Sequence, residues 1–418
     1  MSTSFSRRTF LTGAGLGAVA VGGGAAAVAA FNSSDAEAQE LEAPVEFYGP
    51  HQAGIATPQQ ENLHIVALDV LKDAKAEDLK KLLTQWTGMA AHMCAGEPAS
   101  DKNNGIQDDI SEYAVPSDSG EAADLAANQL TITIGYGPSL FDNRFGLKKK
   151  KPAQLEPLPK FPSDQLVEEL CYGDIVIQAC ANDPQVAVHA VRNLTRAGSG
   201  VVEVRWSQLG YGRASSTSEE QSTPRNLFGF KDGTRNIKGE ETADMDSYVW
   251  SDEPTWMDGG SFMCVRRVRM LLEVWDRQTL KDQQETFGRY RKSGAPMGTA
   301  DDPAKEHDTV PLDLVMGTEP AVPETSHVYL AHPDNNDGQR ILRRAYNFVE
   351  GSDSFGHISA GLFFIAYAAR PAESFIPIQM KLSRNDKMNE YVRYESSAIF
   401  ACPRGLADGE DWGTQLFD

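Results

Sequence analysis

Residues 63–70 read LHIVALDV, an apolar run with alternating positions and branched Ile and Val that marks a strand. The elements that come after this strand decide the fold. Residues 76–93 place Leu79, Leu82, Leu83, Trp86 and Met89 at i, i+3, i+4 spacing, which predicts a helix. Residues 130–136 (LTITIGY) and 174–179 (DIVIQA) read as strands. Residues 184–197 read as a helix, with Asp183 as candidate N-cap and Pro184 at the first helical position. Residues 201–206 (VVEVRW) read as another strand. Strand, helix, strand, strand, helix, strand is the ferredoxin-like order, an antiparallel sheet with helices on one face.

The second half echoes the first. Residues 261–275 (SFMCVRRVRMLLEVW) read as one long strand, and 277–289 as a helix. Residues 361–368 (GLFFIAYA) and 396–402 (SSAIFAC) read as strands around a helix near 373–383. The fold class is therefore α+β, two ferredoxin-like domains expected over 45–215 and 216–418. Their joint, residues 212–224 (GRASSTSEEQSTP), is rich in Ser, Thr and Glu and reads as a linker or exposed loop. Residues 101–123 are polar and acidic and read as a loop, as does the lysine run at 148–152.

Composition narrows the function. With 39 Lys and Arg against 59 Asp and Glu, the 418-residue chain has a formal net charge of −20. That balance argues against nucleic acid and against an anionic membrane surface as partners. Five scattered cysteines without a CxxC pair do not make a disulfide scaffold or a cysteine-only zinc site.

The chain begins MSTSFSRRTFLTG, with Arg7 and Arg8 ahead of an uncharged stretch rich in Gly and Ala that runs to about Ala30. This is a twin-arginine export signal over residues 1–38, with small-residue cleavage points after Ala29 or Ala38. Six glycines make it too weakly hydrophobic for a stable span. The expected partner is the twin-arginine export machinery, and the expected location is the periplasm or the cell exterior. Because that route carries folded proteins, it favours a protein that acquires a cofactor before crossing. No other stretch of apolar residues is long enough to span a bilayer, so no integral membrane segment is expected in the mature chain.

Candidate chemistry concentrates in the second half. Residues 226–236 read NLFGFKDGTRN, where Asp232 sits between Gly229 and Gly233 in a polar turn. His327 opens a segment leading to residues 340–348 (RILRRAYNF), an apolar, helix-like run with three arginines. Arg343 and Arg344 point in different directions on any regular element, so at most one faces a given pocket. No HxxxH, HExxH, GxSxG or GK[ST] pattern is present, which lowers zinc-protease, serine-hydrolase and nucleotide-phosphatase readings.

Taken together, these segments are similar to the dye-decolorising peroxidases, and to their exported, deferrochelatase-like subgroup. The resemblance runs from about Val45 to Asp418. YGPHQAGIATP (48–58), GFKDGTRN, SHVYLAHP, RILRRAYNF, GLFFIAYA and EYVRYESSAIFACPRG match in order. It implies two ferredoxin-like domains of the dimeric α+β barrel type and one haem b per chain. It implies a peroxidase that reduces H2O2 and oxidises dyes, phenols or other small organic reductants through a ferryl intermediate. His327 is implied as the axial iron ligand, Asp232 and Arg343 as the catalytic distal pair. Gly233, Thr234 and Arg235 are implied to lie against the haem, and Leu362 and Phe364 to wall the distal pocket. A carboxylate or carbonyl should hold the other ring nitrogen of His327; Asp334 and Asp337 are near in sequence, and a distant residue is equally open. Trp206, Trp250, Trp256 and Trp275 are candidates for carrying electrons to the surface. Iron release from haem and a non-enzymatic exported haem carrier are the alternative functions, and both monomer and homo-oligomer are open. An aspartate base has a reference pKa near 3.9, so an activity optimum below about pH 6 is expected.

Overall fold

The computed structural model describes residues 42–418; the twin-arginine segment lies outside the described residues. Ala43–Asp418 forms one compact unit. Its first half consists of β1 (Asn62–Val70), α1 (Ala76–Cys94), β2 (Thr131–Tyr136), β3 (Ile175–Ala181), α2 (Pro184–Ala197) and β4 (Val202–Arg213). All pairings are antiparallel, and the order across the sheet is β4-β1-β3-β2.

The second half repeats this order. Its elements are β5 (Ser261–Met270), α3 (Leu280–Phe287), α4 (His327–Ala331), β6 (Tyr346–Ser352), β7 (Ile358–Ala368), α5 (Phe375–Asn385) and β8 (Ala398–Cys402). Here β5 lies between β8 and β7, and β7 pairs with β6, giving β8-β5-β7-β6. The halves also pair with each other. Tyr211 of β4 lies opposite Asn347 of β6, and Ala401 of β8 opposite Tyr136 of β2. Eight strands thus close into a barrel, whose interior is narrow enough for side chains to fill.

The period of two in each strand explains the layers. Ile65, Ala67, Val176, Val265, Phe363, Ile365 and Phe400 fill the barrel. Their neighbours Val66, Leu68, Ile134 and Ile177 point outward and meet Leu79, Leu83 and Trp86 of α1 and Leu194 of α2. Trp86 is fully buried because its Nε1–H also finds a partner, the Leu194 carbonyl at 2.7 Å. Asp183 caps α2 by accepting from the Gln185 N–H at 2.7 Å, as its sequence suggests.

Several local expectations differ from the fold. Residues 261–275 are not one strand: β5 ends at Met270, where its ladder partners run out, and Leu272–Trp275 turns into a helix. Residues 340–348 are extended rather than helical. Leu342–Arg343 pairs with β7 and β6 begins at Tyr346, and the clustered arginines hid this alternation. Residues 212–224 are not an exposed linker throughout. Ser215, Ser216 and Thr217 are buried, since Thr217 Oγ1 donates to the Thr57 carbonyl and Lys238 Nζ donates to Ser216. All four candidate tryptophans are packed. Trp206 lies in the barrel core, Trp250 stacks on His51, Trp256 on Phe141, and Trp275 packs against Phe228. The five cysteines are buried and free.

Candidate active site

The turn that carries Asp232 is a short hairpin closed by a bridge between Arg225 and Lys231. The Asp232 N–H donates to the Pro224 carbonyl at 2.9 Å, which fixes the backbone. The carboxylate is held by the side-chain amide of Asn226, Nδ2 to Oδ2 at 2.9 Å. Gly233 follows at φ +83°, and a Cβ there would lie 2.7 Å from Cα of Ser215, so only glycine fits. The buried Ser215–Thr217 stretch is thus the wall against which the turn is pressed.

Arg343 lies opposite Ala366 on β7 and therefore shares its face. By the same alternation Leu362 and Phe364 lie on that outer face, while Arg344 turns into the barrel and is fully buried. The main chain of Arg343 is clamped by Asn236: its N–H donates to Oδ1 at 2.9 Å, and its carbonyl accepts from Nδ2 at 2.8 Å. Its Nη2 donates to the Thr234 carbonyl at 3.1 Å. Nη1 then stands 3.6 Å from Asp232 Oδ1, an ion pair just beyond hydrogen-bond length. Burial lowers the pKa of this guanidinium, against the opposing pull of Asp232.

His327 opens α4, preceded by Ser326 in extended conformation. Its Nδ1 lies 2.6 Å from Oδ2 of Asp386, just past the end of α5. A carboxylate only accepts, so Nδ1 carries the proton, and in the neutral ring Nε2 keeps a free lone pair. Asp386 is fully buried, whereas 34% of the His327 side chain is exposed, which makes that lone pair reachable. Burial pulls the imidazole pKa down, but Asp386 outweighs it and holds the ring more basic than usual. Asp232 and Arg343 also lie within electrostatic reach of His327. Neither Asp334 nor Asp337 is the partner of His327; Asp334 lies 3.7 Å from His332 instead. The partner is distant in sequence because two neighbouring helices, α4 and α5, bring it there, packed through Leu330, Ile378 and Leu382.

Around these three, Thr234 is buried and its Oγ1 reaches Glu306 at 3.4 Å. Arg235, at φ +55°, stays exposed and donates to the His307 carbonyl at 3.0 Å. Arg289, which no sequence pattern singles out, donates to the carbonyls of Gly294 and Glu306 at 2.7 and 2.9 Å. Burial pushes its pKa down to about 10, with Arg343 and Arg235 adding to the positive field. The donor set fits a haem: a neutral imidazole for iron, an apolar wall at Leu362 and Phe364, and clustered cations suited to carboxylate side chains. Sequence reasoning also missed Asn226, Asn236 and Asp386. The two asparagines bound the NLFGFKDGTRN stretch, so position alone could have flagged them.

Residues 52–212 match the N-terminal model of the Dyp-type peroxidases, and residues 223–407 the C-terminal model. The deferrochelatase of Yersinia pestis is 35% identical over 427 residues, covering 99% of this chain and 95% of that protein. A solved structure of DtpA from Streptomyces lividans, an oxyferrous complex, superposes with a TM-score of 0.82 at 37% identity, covering 91% of this chain and 99% of the other. A DyP-type peroxidase from Cellulomonas bogoriensis gives 0.78 at 34% identity, covering 90% and 99%. No helix among the described residues is long and apolar enough to cross a membrane. The chain belongs to the Dyp-type peroxidase family, and with it to the haem-dependent enzymes that use peroxide as oxidant.

Proposed function

We propose that this chain reduces hydrogen peroxide at the site formed by His327, Asp232 and Arg343, and oxidises dyes, phenols or other organic donors. The observation that carries this reading is the Asp232–Arg343 pair, held 3.6 Å apart in electrostatic reach of a tied imidazole. His327 would ligate the iron through Nε2. Gly233, Thr234 and Arg235 would lie against the porphyrin, with Leu362 and Phe364 as apolar walls. Haem, when bound, supplies the redox-active iron. Asp232 accepts a proton from one peroxide oxygen and returns it to the other, so that water leaves. Arg343 stabilises the negative charge that gathers on the departing oxygen, in a site where burial strengthens its field. The test is stopped-flow mixing of the haem protein with H2O2. Asp232→Asn and Arg343→Leu should each slow the first spectral change by about 100-fold or more with haem retained. Unchanged rates in both variants would sink the assignment. Dye oxidation should be optimal below about pH 6.

A second reading is favoured by the similarity to deferrochelatases: removal of iron from haem with the ring intact. Anaerobic and aerobic incubation with haem, followed by chromatography for protoporphyrin, separates it from peroxidase turnover. We also propose that residues 45–215 and 216–418 are the two domains. The first 38 residues would direct twin-arginine export to the periplasm or cell exterior. Arg7→Lys with Arg8→Lys should then retain the protein in the cytoplasm.

A further inference from the structure

Two asparagines flank the Asp232 turn, and each grips one member of the distal pair. Asn226 is buried, and its amide orientation is settled by its neighbours: Oδ1 accepts the Phe228 N–H at 3.0 Å, which leaves Nδ2 for Asp232. Asn236 is equally fixed, since Oδ1 must face the Arg343 N–H while Nδ2 donates to the carbonyls of Arg343 and Ser216. Each member is thereby tied to the turn independently of the other. An aspartate and an arginine this close, left free, would close into a bidentate ion pair with both forks satisfied. Here Oδ2 accepts from Asn226 and Nη2 donates to the Thr234 carbonyl, and Oδ1 and Nη1 face each other 3.6 Å apart.

We infer that Asn226 and Asn236 are positioning residues that hold Asp232 and Arg343 short of full pairing. One carboxylate oxygen and one guanidinium nitrogen are thereby kept available to a small oxygen- or nitrogen-bearing ligand. This rests on the reading of Asp232 and Arg343 as the distal pair. Hydrogen cyanide tests it without turnover. Its association with the ferric haem protein needs a base for the proton and a cation beside the bound anion. Asn226→Ala should slow association about 10-fold, the weight of one hydrogen bond to a charged group, with haem content and Soret band unchanged. Combined with Asp232→Asn it should add nothing further, because the amide acts only through that carboxylate. Asn236→Ala should behave likewise with Arg343→Leu. Asn226→Asp keeps the acceptor for Phe228, so it holds the turn if the alanine variant fails to fold, and it should be at least as slow. Full additivity in both double variants, or unaltered association in folded Asn226 and Asn236 variants, overturns the inference. Unaltered association in Asp232→Asn and Arg343→Leu themselves would instead overturn the distal-pair reading.

Discussion

Each half of the barrel contains a buried aspartate bonded to a helical histidine, and the two pairs differ in every respect that matters to a metal. In the first half Asp118 holds His189 of α2 through Nε2, at 3.0 and 3.1 Å to its two oxygens. In the second, Asp386 holds His327 of α4 through Nδ1 at 2.6 Å. His189 has 6% of its side chain exposed and has spent the nitrogen at the tip of its ring. His327 keeps that nitrogen free and 34% of its side chain exposed. The covering helices explain the contrast. α1 and α2 run 19 and 14 residues over the first sheet, whereas α3, α4 and α5 run 8, 5 and 11. The same strand order thus carries an Asp–His pair whose outer ring nitrogen is engaged in one half, and one whose outer ring nitrogen is left over in the other.

The sharpest way to break this comparison is to delete the two imidazoles. His327→Ala should abolish stable haem retention, or shift the Soret band of whatever haem remains. His189→Ala should retain haem at full stoichiometry. It removes one partner of the buried Asp118 carboxylate, which keeps the N–H groups of Ala99 and Gly120, so it should instead cost about 2 kcal/mol in urea unfolding. Haem loss from the His189 variant, with folding intact, would erase the distinction. The aspartates come next. Asp386→Ala should weaken haem affinity by about 10–100-fold through the orientation and basicity of His327, as outer partners of metal ligands do. Asp118→Ala should leave that affinity alone. Equal effects of the two in a haem-transfer titration would show that His327 does not depend on its partner.

The fold was legible in the sequence because strand and helix periods survive wherever one face is buried. LHIVALDV and the leucine ladder of α1 show this directly, and α2 matches its expected span from end to end. Residues 340–348 misled because Leu342, Arg344 and Tyr346 all face the barrel, one of them charged, so apolar alternation is broken. His327, Asp232 and Arg343 were reachable through ordered resemblance, not through periodicity. Asp386 was not, since 59 positions separate it from His327 and only the packing of α4 against α5 joins them. His189 shows why a single histidine carries so little by itself: in sequence it is as eligible as His327.

A smaller effect sharpens the comparison through pH. Burial pushes the Asp118 carboxyl up, but the N–H groups of Ala99 and Gly120 and the His189 ring pull it below the ordinary carboxylate range. A folded-state pKa below the unfolded one stabilises the fold above the unfolded value, near 3.9, and that stabilisation fades as pH falls through the folded value. The stability gap between the native chain and Asp118→Asn should therefore be constant near neutrality and begin to narrow below about pH 4. A gap undiminished at pH 3 would mean the pair contributes by shape alone.

The weakest expected effect concerns charge at longer range. The chain carries −20 overall, yet Arg235, Arg289 and Arg343 crowd the second-half site. On the proposed function, an anionic dye would be repelled at a distance and attracted only on arrival, whereas a cationic donor would meet the reverse. Raising salt from roughly 0.01 to 0.15 M shrinks the Debye length from about 30 to about 8 Å, which screens the distant field before the local one. KM for an anionic anthraquinone dye should then fall with salt, KM for a cationic donor should rise, and a neutral phenol should be indifferent. If all three move together, salt is acting on the enzyme rather than on the approach of its donor, and the local basic cluster has no part in selecting substrates.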